Sequence, residues 1–153
     1  MIGHVTNTPQ ALAATLGTLL VRLDHVGIAV DDLDTAVAQW SALGWREVHR
    51  EVNADEGVWE SMLDAPGGGA QLQLLASTSD DSPISRFIDK RGTGIQQVAF
   101  EVTDVAAAIE ACLVAGLEVL YKVPRRGTSG RDITFIHPRS CAGVLVELIG
   151  PAI

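Results

Sequence analysis

The chain has 153 residues, 47% of them hydrophobic and 20% charged, with 19 acidic side chains against 11 basic ones and a formal charge of −8. This length suits one domain whose core stands without disulfide or metal staples, and the acidic balance argues against nucleic acid or an anionic membrane as partner. The two cysteines, Cys112 and Cys141, form no CxxC pair, so neither a disulfide framework nor a thiolate metal site is expected, and a reducing cytoplasm is the expected location.

Residues 1–21 hold an apolar stretch near 11–21 that lacks a basic leader region and is too short to span a bilayer. They are expected to form an N-terminal extension, either a helix or a loosely held tail, ahead of a single domain over 22–153. In that domain the segment LDHVGIAVDDLDTAVAQWSALGW beginning at Leu23 returns, without gaps, as IQQVAFEVTDVAAAIEACLVAGL beginning at Ile95. Asp32 matches Asp104, Ala36 matches Ala108, and Gly44 matches Gly116, each pair 72 positions apart. A fixed period of this kind marks duplicated structural units.

Each copy opens with strand-like alternation and continues with apolar residues at helical spacing. Asp32 or Asp34 is the expected N-cap of the first helix, Thr103 or Asp104 that of the second, and Gly44 and Gly116 stand where a left-handed C-terminal residue is wanted. Three strand-like runs follow each helix: 45–52, 58–65 and 70–77 in the first copy, then 117–123, 132–138 and 143–150 in the second. The expected fold is therefore α+β, two tandem βαβββ modules over about 22–78 and 94–150, joined by a linker over 79–93 with a short helix at Ile84–Ile88. The last strands also correspond, Gln73 matching Glu147 at a spacing of 74.

If the modules pack about a pseudo-twofold axis, His25, Gln97, Gln73 and Glu147 converge on one cavity. An unpaired polar group at a core-facing position costs about 1–3 kcal/mol, so the four must satisfy one another, bind water or hold a divalent metal. Glu60 lies in the apolar strand GVWESML. There it is either a solvated strand residue or, if it faces the cavity, a general base whose pKa burial raises. Trp40, Trp45 and Trp59 are expected to be packing residues, and His4 and His49 incidental.

The segments 23–36, 51–63, 80–94 and 124–148 together resemble the vicinal oxygen chelate superfamily and, within it, the methylmalonyl-CoA epimerases. The resemblance covers Leu23 to Ile149, and segment 124–148 is the part most specific to the epimerase branch. It implies a bowl-shaped, mixed eight-stranded sheet around a divalent metal (cobalt, manganese or nickel) held by His25, Gln73, Gln97 and Glu147. Where the epimerase pattern has a His-His pair this chain has Gln96-Gln97, and Gln97 is a weaker ligand than imidazole, so metal affinity is expected to fall.

The resemblance further implies an acyl-CoA substrate, Glu60 and Glu147 as the two acid/base groups, and a homodimer. Lys122, Arg125 and Arg126 become candidates for the CoA phosphates and His137 a structural or pocket-lining residue. Two other readings stay open: a metal-independent isomerase or cyclase of a biosynthetic pathway, and a non-catalytic ligand-binding or resistance protein.

Overall fold

The computed structural model describes residues 15–153; the expected extension falls outside the described residues over positions 1–14. The strands and helices run β1 Leu20–Ala29, α1 Leu33–Ala42, β2 Arg46–Asn53, β3 Val58–Asp64, β4 Gln71–Ser77, α2 Pro83–Arg91, β5 Gly94–Val102, α3 Val105–Val114, β6 Arg125–Arg126, β7 Asp132–Ile136 and β8 Val146–Ile149. The eight strands form one mixed sheet in the order β2-β3-β4-β1-β5-β8-β7-β6. Read from its centre outwards the order is symmetric. β1 pairs parallel with β4, β5 pairs parallel with β8, and the two modules meet at an antiparallel β1–β5 seam.

Local sequence sets the helix limits as expected. Asp32 accepts a hydrogen bond from Thr35 N at 2.9 Å and Asp104 from Ala107 N at 3.0 Å, capping α1 and α3. Gly44 and Gly116 follow the two helices at φ 100° and 80°, a region that residues with a Cβ seldom adopt. The linker helix α2 is longer than expected, because Ser82 caps it and Pro83 starts it.

One expected strand is absent. Of residues 117–123 only Val119 bridges to Ile136, and the ladder on β7 resumes at Arg125–Arg126. Two features explain the gap. The Thr134 hydroxyl donates to the Tyr121 carbonyl at 2.7 Å, replacing a backbone ladder bond, and Pro124 has no N–H to offer.

Strand alternation divides the side chains between the two faces of the sheet. Leu72, Leu74 and Ala76 pack with Leu33 and Ala36 of α1, and Val146 and Leu148 pack with Val105, Ala108, Ile109 and Cys112 of α3. Each fully buried leucine there contributes about 1.5–3 kcal/mol of transfer free energy. Leu16, just ahead of β1, joins the α3 cluster, so the chain is anchored before the expected domain start at 22. The intervening residues Gln73 and Glu147 face the other way, into the bowl.

Candidate active site

The concave face gathers the four residues expected from the duplication. His25 on β1, Gln73 on β4, Gln97 on β5 and Glu147 on β8 are each at most 5% exposed. Gln97 donates through Nε2 to Glu147 Oε2 at 2.6 Å and to Gln73 Oε1 at 3.0 Å, and Gln73 donates in turn to Glu60 Oε2 at 2.6 Å. A continuous chain of hydrogen bonds thus runs Glu60–Gln73–Gln97–Glu147. Space for the Gln97 side chain comes from Gly27 across the seam, where a Cβ would fall 2.5 Å from Gln97 Cγ.

His25 donates from Nδ1 to Asp24 Oδ2 at 2.7 Å and from Nε2 to Glu147 Oε2 at 3.1 Å. Behind it, Arg131 meets Asp24 through two donors at 3.0 and 3.3 Å and donates to Gly150 O at 2.8 Å. Burial works against a charged imidazole, but Glu147 and Asp24 outweigh it and raise the His25 pKa to about 9. Burial likewise opposes ionisation of Asp24, yet its hydrogen bonds to His25 and Arg131 hold the carboxyl at about 2. The result is a buried row of alternating charge, Arg131–Asp24–His25–Glu147. Asp24 did not stand out in the sequence, because an isolated charged residue beside a strand reads as solvated surface.

Glu60 is 2% exposed on β3 and faces the same cavity. Burial pushes its pKa up to about 8, with the neighbouring Glu51 and Glu147 adding to the rise and the Thr128 hydroxyl, which donates to Glu60 Oε1, opposing it. The duplication does not supply this carboxylate in both halves. Glu60 pairs with Leu75, two residues past Gln73, whereas the residue pairing two past Glu147 is Ile133.

The cavity encloses about 200 Å³ between Glu60, Gln73, Gln97 and Glu147 on its floor and Leu75, Ile84, Ile133 and Phe135 on its walls. That is below the range of roughly 300–1,000 Å³ typical of whole-ligand pockets, so it takes the compact head of a larger molecule. Tyr121 lies at the rim and donates to Glu56 Oε2 at 3.2 Å, while Glu56 Oε1 and Gln96 Oε1 are buried acceptors with no donor among the described residues.

The expected phosphate-binding residues are dispersed. Arg125 stacks on Tyr121 at 3.7 Å, Arg126 donates to Gly130 O, and Lys122 lies beside α3 in a separate surface depression. His137 is not a cavity residue; its Nδ1 accepts from Arg139 N and caps a short 3-10 turn. A different basic cluster borders the site. Exposed Arg86, Lys90 and Arg91 of α2 line a groove that shares Pro83, Gln96, Gln97 and Leu145 with the cavity. Trp40 and Trp45 pack edge to face as expected, but Trp59 is 42% exposed with Arg50 over its ring.

The donor set suits a divalent cation. Neighbouring donor atoms of His25, Glu147, Gln97 and Gln73 lie 2.6–3.1 Å apart, the spacing expected of ligands about 2.1 Å from a shared ion. Turning the Gln97 amide would present its oxygen in place of its nitrogen. The residues therefore fit a cation with one imidazole, two amide oxygens and a single carboxylate. Among the described residues no group of three or more His, Cys, Asp or Glu is placed to hold a metal, so the amides are indispensable to such a site.

A family model of the glyoxalase/bleomycin resistance protein/dioxygenase superfamily matches residues 24–135. The ethylmalonyl-CoA/methylmalonyl-CoA epimerase of Cereibacter sphaeroides is 35% identical over 133 residues, spanning 85% of this chain and 98% of its own length. The chain belongs to this epimerase family. The crystal structure of the Mycobacterium tuberculosis methylmalonyl-CoA epimerase superposes on this family member with a TM-score of 0.86 and 46% identity, covering 90% of this chain and 92% of that one. A second epimerase structure, in complex with methylmalonyl-CoA and NH4+, has a TM-score of 0.82 and 44% identity over 87% of this chain and 96% of its own.

Proposed function

We propose that this protein is an isomerase that interconverts the C2 stereoisomers of methylmalonyl-CoA, or of a related 2-substituted malonyl thioester, by two-base proton transfer. The observation that carries the reading is the placing of two buried carboxyl groups, Glu60 and Glu147, on one small cavity and joined through two amides. Inversion at C2 requires a base on one face and an acid on the other. Glu60, which holds its proton up to a pH of about 8, supplies an acid where an ordinary glutamate would be ionised. In one direction Glu147 removes the C2 proton and Glu60 delivers another; in the reverse direction the roles exchange.

The amide N–H of Gln97 and the imidazolium of His25 supply positive potential to the enolate oxygens formed between thioester and carboxylate. A divalent cation held by His25, Gln73, Gln97 and Glu147 would add Lewis acidity to the same oxygens. The metal-independent reading is favoured by Gln97 itself, an amide where the epimerase pattern has an imidazole and hence a weaker ligand. Methylmalonyl-CoA incubated with the protein in deuterium oxide should take up deuterium at C2, without added metal and more rapidly if cobalt or manganese fills the site. No uptake under either condition would overturn the assignment.

The cavity takes the acyl head, and the groove along α2 gives the rest of CoA a path. Arg86, Lys90 and Arg91 then face its phosphates, in place of the expected Lys122, Arg125 and Arg126. Converting Lys90 and Arg91 together to Glu should raise KM for the CoA thioester about tenfold or more, two exposed charge reversals each being worth about 1 kcal/mol. KM for a short N-acetylcysteamine thioester should not move. Equal loss with both substrates would remove the groove from the CoA path. Cys112 and Cys141 are free thiols, and among the described residues no helix is long and apolar enough to cross a membrane.

A further inference from the structure

A two-base isomerase that works repeatedly in one direction finishes every cycle with its proton on the wrong carboxyl. One base has gained a proton and the other has lost one, so the free enzyme must trade both with solvent before the next substrate of the same hand can react. Glu60 faces this problem acutely, since it is 2% exposed at the bottom of the bowl.

The sheet provides a way out that the substrate does not occupy. Glu51 on β2 is the cross-strand partner of Glu60 on β3, so the two carboxyl groups stand side by side on one face of the sheet. Glu51 Oε2 in turn lies 2.6 Å from His49 Nε2, two residues along the same strand. Exposure increases outwards along this row: the Glu51 side chain is 27% exposed and that of His49 37%. One short loop holds the inner end in place. Thr128 donates to Glu60, and Ser129, whose φ of 55° is unusual for a residue with a side chain, donates its backbone N–H to Glu51 Oε1 at 3.0 Å.

We infer that Glu51 and His49 form a proton relay that resets Glu60 between turnovers. This deepens the epimerase reading and rests on it. When Glu60 has taken the C2 proton, its O–H passes that proton to a Glu51 oxygen; Glu51 gives a proton to His49 Nε2; and the imidazolium releases one from Nδ1 to water. Each bond broken is matched by one formed, and the reverse sequence reloads Glu60. Neither Glu51 nor His49 lines the cavity, so both act only through Glu60.

The relay has a kinetic signature distinct from that of a structural defect. Resetting the free enzyme limits kcat at saturating substrate, but does not enter kcat/KM. Glu51→Gln and His49→Gln, tested separately, should each lower kcat for methylmalonyl-CoA epimerisation about 100-fold, the lower end of the range for an assisted proton transfer, and leave kcat/KM within about twofold. Added imidazole should restore kcat to His49→Ala. An unchanged kcat in both Gln variants, or kcat and kcat/KM falling together without imidazole rescue, would overturn the relay. A parent protein that shows no C2 exchange at all would instead sink the epimerase reading, and the relay with it.

Discussion

Glu60→Gln should lower C2 deuterium exchange and epimerisation by about 10²–10⁴-fold, the usual worth of a positioned acid/base group. The amide keeps the shape of the carboxyl and its contacts with Gln73 and Thr128, but it can neither take nor deliver the proton. The parent should show a matching pH dependence. The productive enzyme carries one proton on the Glu60–Glu147 pair, and that proton is lost as the pH rises through about 8, so kcat/KM should fall across that range. The fall must be the same from either epimer, because one equilibrium constant links the two directions. Stability should move the other way. A carboxyl whose pKa is raised from 4.5 to about 8 contributes stability that is full below 4.5 and lost as pH rises through 8, so Glu60→Gln should be the more stable protein in alkali. Exchange at the parental rate in the variant would remove Glu60 from the chemistry.

The second large effect concerns residues that never meet the substrate. Asp24→Ala should destabilise the fold by about 3–5 kcal/mol, the cost of leaving one partner of a buried ion pair uncompensated. Arg131 is 8% exposed and would lose both of its carboxylate bonds, and His25 would lose the acceptor at Nδ1. For a domain of this size the midpoint of thermal unfolding should fall by roughly 10 °C or more. The deficit should shrink in acid. Asp24 titrates at about 2 in the folded chain against an ordinary 3.8, so its contribution is present above 3.8 and is lost as pH falls through 2. An Asp24→Ala protein with parental stability at neutral pH would show that the row of charges is not what holds His25.

The duplication made most of this architecture legible from residues alone. A register of 72 positions between His25 and Gln97, and of 74 between Gln73 and Glu147, is enough to place four side chains on one cavity once the two copies pack about an axis. Strand alternation then separates Leu72 and Leu74 under α1 from Gln73 in the bowl. The misses have a common cause, which is that periodicity reports faces and not partners. Residues 117–123 have the composition of a strand, but a threonine hydroxyl and a proline decide that they do not ladder. His49 looked incidental on a polar strand. The relay inferred for it depends on Glu51 standing opposite Glu60, a cross-strand register that no local pattern encodes. The proximity of Arg86, Lys90 and Arg91 to the cavity likewise follows from how α2 docks, which no local pattern encodes.

The antiparallel seam between β1 and β5 has a consequence for how such a protein can arise. His25 and Gln73 belong to the first half of the chain, Gln97 and Glu147 to the second, and Glu60 has only Ile133 as its counterpart. A solitary ancestral half would therefore own no pocket and could gain one only by dimerising with itself. Carrying both halves on one chain lets them differ, so that one wall presents the Glu60 carboxyl while the opposite wall presents Ile133.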